Sequence, residues 1–83
     1  MNFMNKSDLK LAVKAALDGD WEASHKIAQN HSDNIANWIH AVLHKIEGDE
    51  GNSRYWYSRT AGQRYDEFAD ATEELKVILS KIS

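Results

Sequence analysis

The chain is expected to be all-α, with about five helices arranged as two stacked α-hairpins and a C-terminal capping helix. Three observations lead there. No proline interrupts its 83 residues, and proline is the strongest breaker of helices. Apolar residues recur at three- and four-residue intervals, the period of one helix face. Finally, Ala12, Val13, Leu17, Asp18, Gly19 and Asp20 reappear as Ala41, Val42, Ile46, Glu47, Gly48 and Asp49 at an offset of 29 residues. Ser24 and Ser53 continue that register, so the repeat spans a helix end, a glycine turn and the next helix start.

Taken in order, Asn5 or Ser7 is a cap for a first helix starting near residue 8, with Asp8 in the opening turn where the helix dipole favours negative charge. Leu9, Ala12, Val13, Ala16 and Leu17 form its apolar stripe, and Gly19 ends it. Asp20 caps a second helix with Trp21, Ser24, Ile27 and Ala28 inward, finishing by residue 31. Ser32 and Asp33 signal a third, over 34–47, which Gly48 terminates. Asp49 caps a fourth through about Thr60, before Gly62. The last helix, over about 66–82, carries Phe68, Ala71, Leu75, Leu79 and Ile82 on one side. Its acidic residues cluster early and Lys76 and Lys81 sit late, matching the dipole. The hairpins therefore cover about 8–31 and 34–62, in a single domain spanning 1–83.

Composition narrows the function. At this length a chain buries a little over ~60% of the surface it exposes when unfolded, so three tryptophans, three tyrosines and two phenylalanines matter to its core. The absence of cysteine excludes disulfide and thiolate chemistry. A net charge of −3 spread along the chain gives no basic field for nucleic acid. No apolar run is long enough to span a membrane, and the opening MNFMNKSDLK lacks the apolar segment of a secretory signal. A cytoplasmic protein is the expectation.

Chemistry-bearing residues concentrate between Trp38 and Arg59. On the third helix, Ile35, Ile39, Val42, Leu43 and Ile46 make the apolar stripe. His40, His44 and Glu47 lie together on nearly the opposite side, about 5–6 Å apart at their origins. A solvated polar face accounts for that pattern. So does a divalent transition-metal site, in which neutral imidazoles bind, Glu47 or His25 completes three protein ligands, and water fills the open position. Acid–base chemistry is a third use: a histidine poised by Glu47, Tyr55 or Tyr57 as proton donor, and Arg59 holding an anionic group. No nucleophile or substrate is indicated, so catalysis does not lead. By spacing, Trp56, Ser53 and Thr60 turn inward while Tyr55 and Arg59 share another side. Asn52 is placed to bond a neighbouring turn, and Trp21 and Trp38 to cover hairpin ends or to line a peptide groove.

Gly48, Trp56, Tyr57, Arg59, Ala61 and Gly62 resemble the tetratricopeptide superfamily, especially its SEL-like variant, in which a glycine turn leads into a helix ending in Trp-Tyr, a basic residue, Ala and Gly. Trp21, Ala23 and His25, followed by Trp38, His40, His44, Glu47, Gly48, Asp49, Asn52, Tyr55, Trp56, Tyr57 and Arg59, also resemble a small bacterial all-helical family of unassigned activity. That second resemblance implies that the polar residues form one signature. Helical repeats leave apolar faces for neighbours to cover, so the leading expectation is a module that binds a protein or peptide partner, self-association into a homodimer included. A small-ligand or metal site on His40, His44 and Glu47 is the alternative.

Overall fold

The computed structural model describes the backbone of residues 2–83 and the side chains of residues 6–83. Five α-helices form among the described residues: α1 (Asn2–Leu17), α2 (Trp21–Ala28), α3 (Asn34–Ile46), α4 (Glu50–Tyr57) and α5 (Ala71–Ile82). A single 3-10 turn, Tyr65–Glu67, precedes α5. α1 pairs with α2 and α3 with α4, and α5 lies against α1 and α3. The fold is all-α, two hairpins closed by a C-terminal helix. No helix among the described residues is long and apolar enough to cross a membrane.

The sequence repeat is reproduced bond for bond. Gly19 and Gly48 take φ of +84° and +83°, a conformation glycine adopts without steric cost. Asp20 and Asp49 then accept from the backbone N–H of Ala23 and Asn52, each at 3.2 Å, satisfying donors that a helix start leaves open. Behind each turn a buried serine ties the second helix to the first. Ser24 Oγ donates to the Ala12 carbonyl at 2.6 Å, and Ser53 Oγ to the Ala41 carbonyl at 2.7 Å. Serine is small enough for the helices to approach and supplies the one donor that burial demands.

Three boundaries differ from expectation. α1 starts at Asn2 rather than near residue 8, since residues 2–7 contain neither glycine nor proline to stop it; Ser7 is therefore interior. The alternative cap at Asn5 falls outside the described side chains. α4 ends at Tyr57, ahead of Thr60. α5 begins at Ala71 rather than 66, because the Asp70 carboxylate accepts from the N–H groups of Thr72 and Glu73 at 2.9 and 3.4 Å and sets the helix start there.

The core joins Leu9, Ala12 and Val13 of α1, Ile39, Val42 and Leu43 of α3, and Leu75, Ile78 and Ile82 of α5. Ile46, expected on the α3 stripe, is exposed at the helix end. One of the early carboxylates of α5 is buried. Glu74 is 1% exposed and accepts from Trp38 Nε1 at 2.7 Å, the Tyr57 hydroxyl at 2.6 Å and Lys45 Nζ at 2.8 Å. A buried carboxylate is tolerated when paired and fully hydrogen-bonded, and this one fastens α5 to α3 and α4.

Candidate metal centre

α3 is covered on two sides, by the core and by α2, so the side opposite its apolar stripe is an interface. That corrects the reading of a solvated polar face. His40 is 6% exposed, the His44 side chain 12%, and His25 is half-buried. His40 and His44, one turn apart on α3, stack with ring centroids 5.0 Å apart. His25 enters from α2 and sets its ring edge-on to both, 4.5 Å from His40 and 5.5 Å from His44. One ring nitrogen from each of the three lies within 4.8 Å of the other two.

Two indoles wall this cage. Trp21 stacks on His25 at 4.6 Å with planes 11° apart, as residues four apart on one helix can. Its Nε1 donates to the Leu43 carbonyl at 2.6 Å, which anchors α2 to α3. On the other flank Trp56 stacks on His40 at 3.9 Å and 12°. Trp21 thus serves the site as well as the hairpin end.

His44 Nδ1–H donates to Glu47 Oε1 at 2.6 Å, leaving the lone pair on Nε2. Glu47 thus stands behind the His44 ring, the position from which a carboxylate would orient a ligating histidine. No described group hydrogen-bonds the ring nitrogens of His25 or His40. Burial pushes His40 down to about 4, with the neighbouring His25 and His44 adding to it. His25 is lowered for the same reasons, burial first and then His44, against an opposing pull from Glu47. Both rings are therefore neutral at neutral pH, the form that binds metals.

The remaining signature residues go elsewhere. Tyr57 is 4% exposed and bonded to Glu74; burial and that carboxylate raise its hydroxyl. It faces inward with Ser53, its i, i+4 partner on α4, while Trp56, expected inward, is half-buried and packs at the edge of the same core. Arg59 is exposed, with its guanidinium over the Tyr55 ring at 5.8 Å. Tyr55 packs edge-on to Trp56 and is exposed. Asn52 donates from Nδ2 to Asp49 at 2.7 Å and so supports its own turn. Of the two tyrosines expected as proton donors, Tyr57 is engaged by Glu74, while Tyr55 keeps company with Arg59. Nothing in the sequence sets Glu74 apart from its neighbours Asp70 and Glu73, which are exposed carboxylates, and Lys45 and Trp38 give no signal in sequence that they meet it.

Comparisons with family models, curated proteins and solved structures return no match.

Proposed function

We propose that this protein is a metal-binding α-hairpin module in which His25, His40 and His44 ligate a divalent transition metal such as Zn²⁺. The convergence of three imidazoles from two helices supports this reading. Zinc–nitrogen bonds of about 2.0–2.1 Å place tetrahedral ligand nitrogens about 3.3 Å apart, so the rings need only small side-chain rotations from their present spacing. Three protein ligands leave a fourth position for water or another donor. Calorimetric titration with Zn²⁺ tests the proposal: the wild type should bind in the micromolar range or tighter, and His44→Ala, which removes a ligand outright, should weaken binding by at least the roughly 10–100-fold that loss of an outer-shell partner costs. Absence of binding, or equal binding by the variant, refutes it.

A second reading keeps the expectation of a partner. Leu11 stands in the first hairpin where His40 stands in the second, yet it is 56% exposed while His40 is covered. That uncovered face favours self-association. Sedimentation of wild type and Leu11→Glu tests it: a dimer abolished by the charge is expected, and a wild-type monomer at high concentration counts against it.

A further inference from the structure

The three imidazoles of the cage stand on elements that are held unequally. His40 and His44 belong to α3, whose residues from Ala36 to Leu43 are all buried. His25 belongs to α2, which is eight residues long and buries only Ser24 and Ala28. A helix of that length is unstable alone in water, and a segment with few buried apolar contacts is the kind that opens locally. Ser24 ties α2 to α1, and the Trp21 Nε1–H bond to the Leu43 carbonyl ties it to α3. Among the described residues that last bond is the single side-chain hydrogen bond between the helices of the first hairpin and those of the second, and no ion pair joins them. An ion with one ligand on α2 and two on α3 bridges this same joint.

Resting on the metal-binding reading above, we infer that α2 is a metal-dependent closure: the bound ion clasps α2 to α3, and without it α2 opens ahead of the rest of the fold. The reason is linkage. When α2 opens, His25 leaves and the ion keeps two protein ligands. The ion therefore depletes the open state by as much as it prefers three imidazoles to two. Trp21 is the positioning residue of the closure. Its indole stacks on His25 at 4.6 Å, while its N–H grips the α3 backbone between His40 and His44. One side chain thus sets both the ring of the third ligand and the spacing of the two helices. The second hairpin supplies a matched control. α4 is also eight residues long, but Glu50 and Arg54 stand in the places of Trp21 and His25, so its opening releases no ligand.

Hydrogen exchange of the full chain, followed by mass spectrometry with and without Zn²⁺, tests the inference. Metal-free, α2 should exchange faster than α3. With Zn²⁺ about a hundredfold above its calorimetric dissociation constant, α2 should slow by roughly tenfold to a hundredfold, the upper figure being the limit that linkage sets at that excess. α4 should change far less. His25→Ala should erase the slowing of α2, because the ion then no longer reaches it. Trp21→Phe keeps a ring beside His25 but loses the bond to Leu43; it should speed metal-free exchange of α2 several-fold, the scale of one hydrogen bond, and Zn²⁺ should restore protection. Should Trp21→Phe fail to fold by circular dichroism, His25→Ala carries the test. Equal metal-free exchange of α2 and α3, an α2 indifferent to bound Zn²⁺, slowing undiminished in His25→Ala, or equal slowing of α4 overturns the closure and leaves the cage standing. A folded Trp21→Phe with unchanged metal-free exchange overturns the role of Trp21. If calorimetry finds no Zn²⁺ bound to the unaltered protein, the metal-binding reading falls and the closure with it.

Discussion

His40 lies face to face with Trp56, ring centroids 3.9 Å apart and planes 12° from parallel. The indole is thus a built-in reporter for the imidazole cage. Co²⁺ or Ni²⁺ bound beside it should quench tryptophan emission, and Trp56→Phe should remove a large share of that quenching while binding persists. Trp21, stacked on His25, accounts for the rest. Quenching that is unchanged in Trp56→Phe would place the ion elsewhere.

Acid should destabilise the fold through His40. Its folded-state value of about 4 lies below the ordinary 6.5, so between those values the unfolded chain binds more protons and stability falls as pH falls. The full contribution is present above 6.5 and is lost by about pH 4, some 3 kcal/mol at about 1.4 kcal/mol per tenfold. Urea unfolding across that window should show the slope, and His40→Gln should flatten it. A slope unaltered by the substitution would assign the acid sensitivity to other groups.

Ser24→Ala and Ser53→Ala should each cost about 1 kcal/mol, the usual net worth of a neutral hydrogen bond. The two bonds belong to separate hairpins, so the double variant should cost the sum. Denaturant midpoints provide the measurement. A neutral result for either would mean that helix packing alone holds that hairpin.

Glu74→Leu should destabilise by roughly 3–5 kcal/mol, because it leaves the Lys45 ammonium unpaired in a buried place and strips Trp38 and Tyr57 of their acceptor. Replacing Lys45 by Met as well should recover part of that loss. Thermal melts of the single and double variants decide it: equal melting of Glu74→Leu and wild type would show that α5 is held by its apolar contacts alone.

Much of the scaffold was legible in the chain because both turns impose the same local demands. A helix end at positive φ selects Gly19 and Gly48, and the open N–H groups that follow select Asp20 and Asp49. The i, i+4 spacing of His40 and His44 was equally plain. What spacing could not reveal is which sides of α3 are covered, and that is a tertiary fact: α2 lies over the histidines, turning an apparent polar face into a cage and recruiting His25. The same limit hid the burial of Tyr57 beside the half-buried Trp56, and the burial of Glu74 among exposed carboxylates. Adjacent residues look alike in sequence until a neighbouring helix distinguishes them.

X-ray absorption of the Zn²⁺-loaded protein addresses the central claim most directly, since it counts imidazole ligands at the metal. Three histidine shells at about 2.0–2.1 Å, falling to two in His25→Ala, are the predicted result. Failure to load the metal, or a shell built mainly of oxygen and unchanged in His25→Ala, would contradict it.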